Sequence, residues 1–438
     1  MVMKSIKLAE KVNRFEFHPE VYVYPTPRVY KKVDDFSLKK AKFSRELNLY
    51  IHIPFCKQIC SYCGYLKIVD QGELLRKKYV DFLLKEIDMY RDVLKNRIIK
   101  TLHFGGGTPS LLSSSELGRI ISALLNINPA ILNTADEISI EATPSSVEYE
   151  KFREFMRLGI NRVSLGLQTF DNSEVKLCGR NNFSDVSINA IKTLRKLKVP
   201  NLVLDLMIGI EGQTVESFER SVKAVLELKP ETVELYALGL MPNTHLQARK
   251  KNLMSAPNIY RCYDLGRKLF LDAGYIQDCH NRYVIPEKGS FLQEDYVFSG
   301  MSLIGFGAGA RTYAENVHYR NSCNSQNCKK AITEYFDSLS LGILPVKSCF
   351  FLNQEEKLRQ YVIYNIESFD KKDFQRRFDI CFEDIFLGFH DVLYNLGLAE
   401  EKSGVVCLTS RGLDFRDLIA NQFFSNKVLL AEKEYRLG

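Results

Sequence analysis

From Leu47 onward the chain alternates short apolar runs with longer stretches whose apolar residues recur at helical spacing. The runs Leu49–Ile53, Thr101–Phe104, Glu137–Glu141, Arg162–Leu167, Leu202–Met207 and Thr232–Leu238 read as strands. Tyr79–Val93, Ser114–Leu125, Val147–Leu158, Ser184–Leu197, Thr214–Leu228 and Asn258–Ala273 read as the helices between them. Strands that alternate with helices predict parallel pairing with helical crossovers on the outside. The first strand–helix turn lacks a dinucleotide-type glycine pattern, so the predicted α/β fold is a partial (β/α)6 TIM-barrel-like core. In such a barrel the chemistry sits at the C-terminal ends of the strands.

The flanks depart from this pattern. Residues 1–45 are polar and tyrosine-rich, and Tyr22-Val-Tyr-Pro-Thr-Pro-Arg-Val-Tyr30 places two prolines in three positions, which predicts an extended N-terminal arm. Residues 46–345 hold the core and its extension, and residues 346–438 a separate C-terminal domain. There Gln354–Tyr364, Lys372–Phe378, Phe382–Leu396 and Leu413–Phe424 read as helices, with Glu401–Thr409 as a polar hairpin. Helices plus a small β-wing make a winged-helix-like module, but no arginine- or lysine-dense recognition helix accompanies it. A lid or substrate cap is the expected role, with no nucleic-acid partner.

Polar residues gather at the strand ends: Gly105-Gly-Gly-Thr-Pro-Ser110 after the second, Glu141 on the third, Gln168 after the fourth and Asp205 within the fifth. The first strand runs into Tyr50-Ile-His-Ile-Pro-Phe-Cys-Lys-Gln-Ile-Cys-Ser-Tyr-Cys-Gly64. Cys56, Cys60 and Cys63 can take three corners of a cubane cluster, leaving one iron open. Zinc is the alternative, but its tetrahedron wants a fourth ligand close in sequence, and His52 lies inside the strand.

The remaining composition adds little. Apolar residues at 45% and charged ones at 26% are those of a globular protein, and the net charge of +7 is spread without a basic block. Eleven cysteines, an odd number in a chain opening on a charged segment with no secretory apolar core, argue against a disulfide scaffold and for a cytoplasmic protein without a membrane span. Cys279, His280, Cys323 and Cys328 are read as core or loop residues rather than a second metal site, with His280 and Asn281 as candidates for a substrate cavity wall.

The C-x3-C-x-aromatic-C spacing resembles that of the radical S-adenosylmethionine (SAM) superfamily. Tyr50–Gly64, Leu102–Ser110, Glu137–Pro144, Asn161–Phe170 and Asp205–Gln213 are more closely similar to the oxygen-independent coproporphyrinogen III dehydrogenase (HemN-like) family. That resemblance implies a [4Fe–4S] cluster on Cys56, Cys60 and Cys63, and one SAM molecule or two. It implies Tyr50 beside the cluster, Tyr62 and Gly64 near SAM, and Gly105, Gly106, Gly107 and Thr108 receiving its amino group. Glu141 would take the ribose, Gln168, Arg180 and Asp205 would complete the pocket, and Gly239 and Ile304 would line the place of a second SAM. The bland alternatives are a plain strand-to-helix turn for Gly105–Gly107 and a surface ion pair for Arg180. The implied chemistry is reductive cleavage of SAM and hydrogen abstraction from a small-molecule substrate, with a flavodoxin or ferredoxin as electron donor. A tetrapyrrole is the first candidate substrate, methyl or methylene transfer through a second SAM the rival, and a haem-binding chaperone a third. Tyr65 stands where true dehydrogenases of the family carry a further cysteine, and the arm 22–30 and segment Ile304–Tyr313 are more like those of methylase-type members.

Overall fold

The computed structural model describes residues 2–16, 21, 23–249, 252–324 and 326–437. One sheet of thirteen strands organises the molecule. Along the chain these are β1 (Lys31–Lys32), β2 (Glu46–Ile53), β3 (Ile98–Gly106), β4 (Glu137–Ala142), β5 (Arg162–Gln168), β6 (Asn201–Ile208), β7 (Thr232–Ala237), β8 (Ile276–Cys279), β9 (Arg282–Val284), β10 (Ser302–Phe306), β11 (Arg311–Tyr313), β12 (Val317–Asn321) and β13 (Val346–Phe351). Strands β2 to β7 lie side by side in chain order and all pair in parallel, with helices in the crossovers, which is a partial (β/α)6 barrel. Their near-continuous burial explains why they read as apolar runs rather than alternating ones: helices cover one face and the barrel interior the other.

Helix boundaries follow local chemistry. The helix Ser114–Ile127 opens on a reciprocal cap, in which the Ser113 hydroxyl accepts from the Glu116 N–H and the Glu116 carboxylate accepts from the Ser113 N–H. Beyond β7 the sheet turns antiparallel at one edge through β9 and β8. At the other edge β10 pairs in parallel with β2, and β11, β12, β13 and β1 continue antiparallel. No helix among the described residues is long and apolar enough to cross a membrane.

The N-terminal arm corrects the sequence reading. Val2–Asn13 is a helix, and Leu8 and Val12 on one of its faces are fully buried. Pro25 and Pro27 act only locally, Pro27 opening the short turn Pro27–Val29. Tyr22 lies outside the described residues. Val21, Tyr24, Val29 and Tyr30 pack with Leu358, Phe369 and Phe424 in a second apolar cluster, so the arm is held by the C-terminal residues. Tyr24 anchors it, donating to the Glu356 carboxylate and accepting from the Ser425 N–H at 3.1 Å.

The C-terminal part holds the expected helices and a three-stranded wing, Ser368–Asp370, Val405–Leu408 and Ala399–Lys402. The span 382–396 is two helices, Phe382–Ile385 and Phe389–Asn395, parted at Gly388 with φ +69°. The span 413–424 is likewise divided, between Ser410–Asp414 and Arg416–Gln422.

Candidate active site

The C-terminal ends of β2 to β7 open into a cavity of about 1580 Å³. Cys56, Cys60, Cys63, Tyr50, Tyr62, Gly64, Gly106, Gly107, Thr108, Glu141, Gln168, Arg180, Asp205 and Gly239 all line it. Two expected residues do not. Gly105 lies beneath the surface, where a Cβ would stand 2.7 Å from Glu141 Oε1, and Ile304 is fully buried within β10.

The cysteine loop is fastened to its surroundings through backbone and side chain. A short parallel ladder joins Phe55–Cys56 to Ile68–Val69, and the Ser61 N–H donates to the Cys178 carbonyl at 2.9 Å. Arg180 is no surface ion-pair partner: its Nε donates to Cys60 Sγ at 3.1 Å and its Nη1 to the Gly166 carbonyl at 2.7 Å. Burial pushes the Cys56 thiol up to about 12 and raises Cys63, so bound cationic metal, not the surroundings, would hold these thiols as thiolates. Among the described residues no three His, Cys, Asp or Glu side chains converge on a point for a single ion.

The glycine turn is shaped against that loop. Gly106 has φ +113°, and a Cβ there would fall 2.4 Å from the His52 ring. A Cβ on Gly107 would lie 2.7 Å from the Phe55 carbonyl oxygen, so backbone alone fits between the turn and the strand feeding the cysteines. Gln168 also takes a left-handed conformation, φ +74°, which a non-glycine residue adopts at a cost, at the very end of β5. Its Oε1 and the Tyr62 hydroxyl are buried without a hydrogen-bond partner among the described residues, a polarity suited to a polar ligand.

Glu141 accepts from the Gly106 N–H at 3.0 Å and from His103 Nε2 at 3.2 Å. Burial raises its carboxyl, but His103, then the Gly106 N–H, outweigh that and hold it below the usual carboxylate range. Glu141 is therefore an anion whose side chain remains 40% exposed to the cavity. Asp205 goes the other way: burial and then the Glu234 charge push it up, against the Ser164 hydroxyl, which donates to it at 2.9 Å.

The sequence reading passed over His103, which stacks on Tyr50 with ring centroids 5.7 Å apart, and over the role of His52. Their signal was a pair of histidines, each inside an apolar strand that ends at the site. His52 Nε2 donates to the Leu66 carbonyl at 2.9 Å, leaving Nδ1 to accept from the Tyr50 hydroxyl at 2.9 Å. Burial pushes His52 down to about 4, so it stays neutral in the folded protein. The unfolded chain binds that proton near 6.5. Wild type is thus expected to lose about 3 kcal/mol relative to His52→Gln as pH falls from 6.5 to 4. Denaturant unfolding of both at pH 7 and pH 4.5 measures the difference, and parallel pH profiles would refute it.

Behind Phe291, which lines the cavity, lies an ionic plug. Arg162 donates to Glu234 at 2.6 Å and to the Ser290 carbonyl at 3.0 Å, lies 3.8 Å from Glu137, and stacks over Phe291 at 4.1 Å. His280, expected near a substrate, is instead held by Glu367 at 2.8 Å, and neither it nor Asn281 lines the cavity. With Leu413 and Phe415 it lines a separate, small pocket instead.

Residues 50–225 match the Radical SAM superfamily. Over 264 residues the chain is 33% identical to the haem chaperone HemW of Escherichia coli, covering 60% of this chain and 69% of that protein. It is 35% identical over 230 residues to HemW of Buchnera aphidicola from Schizaphis graminum, but spans only 60% of that relative's length. The oxygen-independent coproporphyrinogen III oxidase of Pseudomonas aeruginosa is 26% identical over 399 residues, 86% of this chain and 84% of that one. The solved structure of coproporphyrinogen III oxidase (HemN) from Escherichia coli superposes with a TM-score of 0.80 at 23% identity, over 92% of this chain and 96% of that chain. The chain belongs to the radical SAM superfamily, in its HemN-like family. Membership implies a [4Fe–4S] cluster and SAM as cofactors.

Proposed function

We propose that this protein cleaves SAM reductively and uses the product to abstract hydrogen from a substrate of tetrapyrrole size. The observation that supports it best is the cavity: at about 1580 Å³ it exceeds the 300–1,000 Å³ usual for a single small ligand, and the cysteine loop and glycine turn open into it. Cys56, Cys60 and Cys63 would hold the cluster. Bound there, the cluster would supply the single electron for reductive cleavage of SAM, the chemistry that starts hydrogen abstraction.

The chain's own residues orient and shield. The turn Gly106-Gly107-Thr108 offers backbone to the SAM amino group, and the Glu141 carboxylate accepts from the ribose hydroxyls. Gln168 and Arg180 hold the methionine end, and Asp205, raised toward neutrality, can donate as well as accept. Tyr50, fixed by His52 and stacked on His103, closes the side nearest the cysteines. Val21, Val23, Pro27 and Tyr30 of the arm, with Phe424, wall the mouth and limit water, which would quench radical chemistry.

Methylene transfer is the second reading, and Tyr65, half-exposed where dehydrogenases of the family carry a cysteine, favours it. Anaerobic incubation with methyl-deuterated SAM, a reductant and coproporphyrinogen III separates them by mass spectrometry. Loss of two carboxyl groups with matching 5′-deoxyadenosine is the expected result. Untouched porphyrinogen with deuterium in the 5′-deoxyadenosine would replace it with methylene transfer. Tight haem binding with no 5′-deoxyadenosine at all would point to a chaperone, as the HemW relatives are named.

A further inference from the structure

His103 stands in the middle of a row across three strands. Tyr50 on β2 is in register with it on one side and Ser139 on β4 on the other. Side chains two apart along a strand point to the same face, so Glu141 follows Ser139 on the face that His103 shares. The imidazole is fixed by two rings and at both nitrogens. Tyr50 stacks on it, and the Phe291 ring lies 5.6 Å away. Nδ1 meets the Ser139 hydroxyl at 2.8 Å, and Nε2 meets Glu141 Oε1. A carboxylate only accepts, so the proton sits on Nε2, and in the neutral ring Nδ1 accepts from Ser139. Gly105 makes room for this meeting. A Cβ there would crowd Glu141 Oε1 and would stand 2.9 Å from both His103 Nε2 and the Tyr50 ring. Gly105 thus serves the site without lining it.

What this arrangement fixes is Glu141. An ionised carboxylate has about four acceptor positions. Here His103 takes one on Oε1 and the Gly106 N–H takes one on Oε2. About two remain, on a side chain that lines the cavity. A carboxylate pinned by one donor on each oxygen, with a pair of acceptor positions left over, matches two adjacent hydroxyls. Without His103, Oε1 loses its donor and the glutamate is free to turn. Ordering it again when a ligand binds then costs affinity.

We propose that His103 is a positioning residue that holds Glu141 in the orientation the SAM ribose diol requires, with Ser139 fixing the His103 tautomer behind it. The inference rests on Glu141 being the ribose acceptor. It adds that discrimination for the ribose hydroxyls is set from behind that acceptor, by an imidazole on the neighbouring strand.

The test uses the full chain with its cluster reconstituted. Binding of SAM and of its 2′-deoxy analogue is measured by anaerobic equilibrium dialysis without reductant, so that nothing turns over. Wild type is expected to prefer SAM about tenfold, the worth of one hydrogen bond to a charged group. His103→Phe keeps a ring against Tyr50 but loses the Nε2–H. It is expected to bind SAM about tenfold more weakly, and the analogue within about twofold of wild type. His103→Gln, which keeps an N–H donor, should recover part of the preference. In a Glu141→Gln background, His103→Phe should change SAM binding by less than about twofold, because the two residues act as one unit. Ser139→Ala gives the same loss of preference to a smaller degree, should His103→Phe take up less iron than wild type. An undiminished preference in both His103→Phe and Ser139→Ala overturns the proposal. So does an equal weakening of SAM and analogue in His103→Phe at full iron content, which is the mark of a merely structural histidine. Wild type separates the failures: a preference there with unchanged variants leaves Glu141 standing without His103, and no preference there removes the ribose role on which the proposal rests.

Discussion

Cys56→Ala, Cys60→Ala and Cys63→Ala are each expected to lose the brown cluster absorbance after anaerobic reconstitution and to form 5′-deoxyadenosine only at background. Removing a residue behind a metal ligand costs about 10–100-fold in affinity or activity, and removing a ligand costs more. The loss should be the same for all three, because a cluster held by three thiols has no spare protein ligand. Cys178→Ala is the control. That thiol is buried close enough to act on Arg180 beside Cys60, yet it does not line the cavity, and its loss should leave iron content unchanged. Full iron and sulfide in any of the three variants would remove that cysteine from the ligand set.

The second large effect is on stability. Arg162→Met should destabilise the protein by about 3–5 kcal/mol, because it strands charges that have no water to turn to. Glu234 and Glu137 are almost wholly buried, and Arg162 is the cation that meets both. The loss spreads upward, since Asp205 already feels the Glu234 charge and is relieved by Arg162. Urea unfolding measures the cost. Arg162→Met with Glu234→Gln should recover part of it, and a single variant as stable as wild type would show that the plug is ornamental.

These effects differ in how visible they were before the fold was known. The barrel strands were legible because burial on both faces leaves runs such as Leu49–Ile53 with few polar interruptions, and capped helices such as Ser114–Ile127 begin where their signals stand. The cysteine loop was legible because its ligands lie within eight residues of one another. Contacts between distant strands were not. His103 meets Glu141 and Tyr50 only through the registers of β2, β3 and β4, and the Arg162 plug joins β5 to β7 and to Ser290. The N-terminal helix was missed for a different reason. Two prolines further along the arm dominated the reading, while Leu8 and Val12, four residues apart on one face, carried the helical signal.

The central claim is that this cavity cleaves SAM reductively. The most direct measurement is mass-spectrometric detection of 5′-deoxyadenosine and methionine from the reconstituted wild-type protein, SAM and dithionite under strict anaerobiosis, with coproporphyrinogen III present. The account predicts both products in equal amounts, only when the reductant is added. A protein carrying a full complement of iron and sulfide that leaves SAM intact would contradict it.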